Sequence, residues 1–219
     1  FEELFYRPAG IHKIVQRNKR SRFHRFLGRV IEGAKSKKDL CLGQAEVENH
    51  MRQHFDFKHL CRYRTVHIAT CSSFYQSEDS FRDFQPVQAL QTQIDTYANL
   101  FNNTIGVHIR RTDNRKAVEY SPTEFFLSIM ERLTHDDTRA GFFLATDDPQ
   151  EEKRFLDAFP GRVIIHKKRS FLRNEPAAIQ DALIDLYTLS KCKKIIGSYW
   201  SSFTDVARAL GGAELILPK

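Results

Sequence analysis

Residues 104–113 read T-I-G-V-H-I-R-R-T-D, and the architecture follows from them. The first six form a short, mostly apolar run rich in Ile and Val, the pattern of a strand buried on both faces. Side chains alternate along a strand, so Val107 and Ile109 share one face while His108 and Arg110 share the other. A polar ring halfway along a core strand is costly unless something meets it. Two arginines follow where the strand runs out, and Asp113 closes the cluster. The planar fork of arginine is the side chain best shaped to hold a phosphate. A strand end capped by solvated charges is the plain alternative, and the surrounding chain weighs against it.

Upstream, Pro86 suits the first turn of a helix whose Val87, Leu90, Ile94, Tyr97 and Phe101 fall on one face, with Asn102 and Asn103 ending it. Downstream, S-P-T-E at 121–124 has the form of a capping box, with the stripe Phe125, Phe126, Ile129, Met130 and Leu133 behind it. A second strand is expected at 141–145, closed by T-D-D-P at 146–149, where an Asp caps a helix carrying Phe155, Leu156 and Phe159. Gly161 stops that helix, and 162–166 reads as a third strand. After a loop at 167–175, Pro176 opens a helix with Ile179, Ala182, Leu183, Leu186 and Tyr187 on its apolar face. A fourth strand spans 194–199. Ser201 or Ser202 then caps a last helix bearing Phe203, Val206, Ala207 and Leu210, which Gly211-Gly212 ends before a fifth strand at 214–217. Strict alternation of strand and helix predicts an α/β fold with a doubly wound, mostly parallel sheet over 86–219.

The first third of the chain is less regular. Its 17–29 stretch is basic, with Phe23, Phe26 and Leu27 at helical spacing, which predicts a docked helix more than a nucleic-acid surface. A helix is expected across 45–55 on Val47, Met51 and Phe55, a strand at 64–70, and a Ser-rich loop at 71–82. At 219 residues the chain holds one large or two small domains. No apolar run reaches the length of a membrane span and no signal-peptide pattern is present, so a cytoplasmic protein is expected. The formal charge of +7 suits a polyanion: nucleic acid, an anionic membrane or a phosphorylated small molecule. Four cysteines without a C-x-x-C pair argue against a zinc site and a disulfide framework, and free thiols in a reducing compartment account for them. Because the first residue is Phe1, the natural N-terminus is expected to lie upstream.

Ligands of such sheets sit outside the carboxyl ends of the strands. There the sequence places His108, Arg110, Arg111 and Asp113, then Thr146, Asp147 and Asp148, then His166, Lys167, Lys168 and Arg169. The fourth strand adds Ser198, Tyr199, Trp200, Ser201 and Ser202 at a helix N-terminus, where N–H groups and hydroxyls suit a phosphate. Arg110 and this serine turn together outline a diphosphate pocket, although neither G-x-x-x-x-G-K-[ST] nor G-x-G-x-x-G occurs. Thr146 to Asp148 reads more plainly as a helix cap, and a paired Asp is also a ligand set for a divalent metal. Asp181 and Asp185 share a helix face, where solvated carboxylates are the default, and Trp200 is a candidate core residue.

G-V-H-I-R-R-T-D, F-L-A-T-D-D-P and D-L-Y-T-L-S-K-C-K-K-I-I-G-S-Y-W-S-S-F-T-D-V-A together resemble the donor-binding half of the fucosyltransferase superfamily: the α-1,6-, nodulation and protein O-fucosyltransferases. The resemblance covers roughly 84–219. It implies a GT-B fold of two Rossmann-like domains, with 85–219 binding a nucleotide-sugar donor. Residues 1–84 would then be the remainder of an acceptor-side region truncated before Phe1, where the family's glycine-rich loop would lie. It implies inverting transfer of fucose from GDP-fucose to a glycan or other hydroxyl, with no cofactor and no metal. By the same resemblance Arg110 binds the donor β-phosphate, Arg111 and Asp113 support it, and His108 contacts nucleotide or sugar. Asp185 reads the guanine, Ser201 and Ser202 meet the pyrophosphate beside Ser198, and Thr146, Asp147 and Asp148 lie near the nucleoside. Glu119, offset by one residue from a glutamate of some relatives, and Asp113 are the candidate general bases. A non-catalytic nucleotide-binding homologue and a basic nucleic-acid binder are the competing readings.

Overall fold

The computed structural model describes residues 3–6, 39–70, 72, 74, 81, 83–100, 103–172 and 174–218. The chain divides into two compact units: Phe1–Ile11 with Phe81–Lys219, and His12–Ser80. Sequence alone placed the break between 84 and 85 and gave all of 1–84 to the first part. Residues 3–6 instead pair with the start of the second, where Tyr6 N–H donates to Gln85 O at 2.8 Å and Val87 N–H to Leu4 O at 3.0 Å.

In the smaller unit, β1 (Asp39–Leu42) and β2 (Thr65–Ile68) pair in parallel, with Leu42 opposite Ile68. Between them come α1 (Gln44–Arg52) and a short 3-10 helix, Phe57–Arg62. Leu42, Val47, Phe57 and Leu60 form a small core. Met51, expected on the packed stripe, is exposed, and α1 ends before Phe55. The helix predicted over 17–29 lies outside the described residues.

The larger unit holds α2 (Gln88–Ala98), β3 (Thr104–Ile109), α3 (Arg115–Tyr120), α4 (Thr123–Asp136), β4 (Gly141–Thr146) and α5 (Pro149–Ala158). It continues with β5 (Val163–Ile165), α6 (Pro176–Ser190), β6 (Lys194–Gly197), α7 (Ser202–Gly211) and β7 (Glu214–Ile216). Its five strands are all parallel, in the order β5-β4-β3-β6-β7. The predicted doubly wound α/β sheet is thus present, with β5, β6 and β7 a residue or two shorter than their sequence patterns and β4 extended by one, to Thr146. From β3 the chain steps outward to β4 and β5, then crosses back to β6 on the other side of β3. This reversal leaves a crevice at the strand ends.

Alternation along the strands builds two cores. Ile105, Val107 and Ile109 pack with Phe142, Leu144 and the helix residues Phe126, Met130 and Phe155 on one face. Phe143, Ala145 and Ile195 pack with Leu189 and Ala207 on the other. Each fully buried phenylalanine contributes about 1.5–3 kcal/mol. At Gly197 a Cβ would stand 2.4 Å from Thr204 Cγ2, so only glycine lets α7 lie this close to β6.

The capping box at 121–124 does not form. Pro122 occupies the cap position of α4 without a side-chain bond, because Ser121 Oγ is taken by Tyr199 N–H at 2.7 Å. Glu124, the box's other half, pairs instead with Arg154 at 3.0 Å. The cap expected from T-D-D-P does form: Asp148 accepts from Gln150 N–H at 2.8 Å, with Pro149 at the first helical position. Among the described residues, no helix is long and apolar enough to cross a membrane.

Candidate functional site

Parallel registry sets the ends of β3, β4 and β6 at one level: Ile109 faces Thr146, and His108 faces Gly197. The residues that follow therefore converge. Arg110 N–H donates to Ser198 Oγ at 2.9 Å, and Ser198 Oγ–H returns to His108 O at 3.2 Å, which ties the β3 and β6 ends together. Beside this tie lies a cavity of about 340 Å³, walled by His108, Arg110 and Thr112 from β3 and its turn and by Ala145, Thr146 and Asp147 from β4. Lys168, Ser170 and Phe171 line it from the loop after β5, Ala178, Ile179, Ala182 and Asp185 from α6, and Phe203 from α7. It falls within the ~300–1,000 Å³ of small-ligand pockets.

The two consecutive arginines do different things. Arg110 lines the cavity, its side chain about a quarter exposed, with Nη1 2.7 Å from Asp147 Oδ2 and Nη2 bonded to Asp113. Arg111 does not line it. Its Nε meets Glu151 Oε1 at 2.8 Å, Nη2 meets Thr123 Oγ1 at 3.0 Å, and Nη1 bonds Arg110 O at 3.0 Å. Thr123 Oγ–H donates to the same Glu151 oxygen, so Arg111 locks β3 to the starts of α4 and α5. Of the two arginines expected at the donor, one to bind and one to support, Arg110 reaches the cavity and Arg111 is turned toward buried Glu151.

Asp147 organises the turn rather than capping a helix. Its oxygens accept from Arg111 N–H at 2.8 Å and Thr112 Oγ–H at 2.7 Å as well as from Arg110. Burial works against its charge, but the Thr112 and Arg111 bonds and the Arg110 guanidinium outweigh it, so its carboxyl sits below the usual range. Thr146 is buried in the wall and accepts from Asp148 N–H at 3.3 Å. Asp148 itself caps α5 and stays out of the wall.

His108 is buried, its Nδ1 2.7 Å from Thr204 Oγ1 and its ring stacked on Phe203 at 4.7 Å between centroids. Burial drives its pKa down to about 3; Asp147 opposes the shift, while Arg110 and Lys168 add to it. A neutral ring is therefore presented to any ligand. At the opposite wall the default of solvated carboxylates fails for both aspartates of α6. Asp181 is 1% exposed and held by Arg169 and His166, and Asp185 is 3% exposed. Asp185 Oδ2 stands 3.3 Å from Lys168 Nζ, whereas Oδ1 has no hydrogen-bond partner among the described residues. Burial pushes its pKa up to about 7; Lys168 opposes this, while Glu152 and Asp181 add to it.

The serine turn is only partly at the cavity. Ser198 braces Arg110, Ser201 is buried at the α7 cap position without a side-chain cap bond, and Ser202 is exposed; none of the three lines the wall. Glu119 is exposed on α3, outside the wall. Trp200 is not core: it is 61% exposed in a left-handed conformation (φ 58°). Asn114 Nδ2 donates to its carbonyl at 2.9 Å, and Lys116 Nζ lies 4.1 Å from its ring centre.

Thr112, Phe171, Ile179 and Phe203 line the wall without a role expected from the sequence, and so does Lys168, which the sequence places at the ligand end of the sheet but gives no role. For Lys168 the signal was available: strand alternation carried past β5 puts His166 and Lys168 inward and Lys167 outward. His166 and the Lys168 side chain are buried and Lys167 is exposed.

The fold is that of solved fucosyltransferases. A NodZ α-1,6-fucosyltransferase soaked with GDP-fucose aligns with a TM-score of 0.57 and 22% identity, over 96% of this chain and 75% of that one. Arabidopsis thaliana FUT1, as a mutant in complex with GDP, gives 0.60 and 14%, over 99% and 61%. POFUT1 in complex with GDP gives 0.50 and 11%, over 71% and 55%. The chain thus spans three quarters or less of these three proteins. No family model matches the sequence, and no curated protein matches it significantly. The α/β GT-B-like fold expected from the sequence is borne out, as is its resemblance to the fucosyltransferase superfamily at the level of fold.

Proposed function

We propose that this chain belongs to an inverting glycosyltransferase that moves fucose from GDP-fucose to a hydroxyl of a glycan or other acceptor, without a metal ion. The observation that carries the reading is the cavity at the strand ends, with a guanidinium in one wall and an unpartnered carboxylate oxygen in another. The first suits a diphosphate and the second the N–H edge of guanine. The fold relatives solved with GDP or GDP-fucose support the choice of nucleotide.

In this reading Asp113 and Asp147 hold the Arg110 fork in place before the donor arrives. As the bond from the sugar to the β-phosphate oxygen breaks, negative charge gathers on the leaving GDP, and a pre-oriented guanidinium stabilises it. His108, neutral, contributes hydrogen bonding and shape. The acceptor hydroxyl attacks from the opposite face and must lose its proton to a base. Neither candidate carboxylate lines the wall itself, but Asp113 is bonded to Arg110, which does, so we assign the role to Asp113. Asp147 is engaged by Arg110, Arg111 and Thr112, and Asp148 caps α5, which supports catalysis without metal ligation by this pair.

The second reading, a nucleotide-binding homologue without turnover, draws on the absence of Glu119 from the wall. Thermal unfolding with GDP, UDP and ADP tests the common core of both readings. A ligand at a hundred times its Kd adds about 2.7 kcal/mol of stability. GDP is expected to protect more than the other two, and Arg110→Ala to remove the protection; equal protection by all three nucleotides refutes guanine reading by Asp185. GDP release from GDP-fucose, unchanged by EDTA, separates an enzyme from a binding homologue.

A further inference from the structure

We infer that Lys168 is the positioning residue for the base-reading end of the cavity: it holds Oδ2 of Asp185 and leaves Oδ1 as the acceptor for the nucleobase. This rests on the reading of the cavity as a guanine-nucleotide site.

The Lys168 side chain is 8% exposed, yet it carries its ammonium into the wall, 2.6 Å from Glu152 Oε1 and 3.3 Å from Asp185 Oδ2. Phe171 covers it, the ring centre 5.7 Å away. Burial works against that charge, but Asp185 and Glu152 outweigh it, so the lysine stays protonated. A buried lone carboxylate would take up a proton and become a donor; the neighbouring ammonium opposes that uptake and widens the pH range over which Asp185 is an acceptor. Guanine offers N–H donors, so it needs the acceptor form. The unpartnered Oδ1 is where that donor fits.

The charges around Asp185 come from several elements. Lys168 approaches from the loop after β5 and Glu152 from α5, and Asp181 lies one turn back on α6. Arg110, Asp147 and neutral His108 line the same cavity. The two nearest charges act in opposite senses: Lys168 holds the Asp185 pKa down and Glu152 holds it up, leaving it at about 7. Donors from the base favour the ionised form, so affinity falls as pH drops below that value, by about tenfold for each further pH unit.

The test measures GDP affinity calorimetrically from pH 5.5 to 8.5 on the 219-residue chain, for the wild type, Lys168→Met and Glu152→Gln. The ratio of variant to wild type at each pH cancels the titration of the GDP phosphates. Lys168→Met is expected to bind about tenfold or more weakly at pH 6 and to recover as pH rises. Glu152→Gln keeps a hydrogen-bonding group on Lys168 but removes the opposing charge. It is expected to bind about threefold or more tightly than wild type at pH 6, and equally at pH 8. Ratios that do not change with pH, or two variants that both weaken binding, overturn the role of Lys168 while leaving the nucleotide site intact. A wild type that fails to bind GDP at any pH overturns the nucleotide reading itself.

Discussion

Substituting the paired arginines one at a time should separate a stability residue from a ligand residue. Arg111→Met removes a guanidinium whose side chain is 10% exposed from a carboxylate that is 11% exposed. Among the described residues Glu151 Oε2 already lacks a partner, so there the variant leaves a buried charge with only the Thr123 hydroxyl. Breaking a buried pair from one side costs about 3–5 kcal/mol. In a unit of this size each kcal/mol lowers Tm by about 2–4 °C, so a fall on the order of 10 °C is expected. The side chain of Arg110 is more exposed, and its partners Asp113 and Asp147 keep access to water or other donors, so Arg110→Ala should cost about 1 kcal/mol or less. Calorimetric unfolding with and without GDP measures both effects. Arg111→Met should melt early yet keep its response to GDP, and Arg110→Ala should melt near wild type and lose it. The reverse pattern, or equal loss of GDP response in both, would refute the division of labour between these neighbours.

Two further outcomes follow from buried contacts. His108 has a folded-state pKa of about 3, depressed from 6.5, so its neutral form stabilises the fold fully above pH 6.5 and that contribution is lost as pH falls toward 3. Chemical denaturation between pH 7 and 4 should show a steeper loss in wild type than in His108→Asn; parallel curves would mean the ring is not held neutral. Gly197→Ala would set a methyl group 2.4 Å from Thr204 Cγ2, displacing the hydroxyl that pairs with His108. A loss of about 1–3 kcal/mol is expected in urea unfolding, and no change would mean that α7 moves freely off the sheet.

Most of the sheet was legible because its residues repeat with helical and strand periods in strict turn, and a core buried on both faces leaves little else those periods can do. Elements held by few apolar contacts were not. Helix α3 buries only Ala117 and depends on Asn114 accepting from Ala117 N–H, while β1 is four residues between charged and polar neighbours. Ser121 illustrates a different limit. Its local sequence is that of a cap, but a backbone N–H brought in from 78 residues away takes the hydroxyl. The site was legible as a set of strand ends, and Arg110, His108, Asp147 and Asp185 all reach the wall. Which way each side chain turns was less so, since Arg111 and Ser198 are directed by partners on other elements.

The left-handed turn at Trp200 gives the molecule a built-in optical reporter. The chain has a single tryptophan, so its indole emission originates at one place. That place is two residues beyond the hydroxyl that braces Arg110, and the ring is open to solvent with an ammonium over its face. A nucleotide titration on the unlabelled chain therefore reports, by the colour and quenching of its own light, whether filling the crevice disturbs this turn.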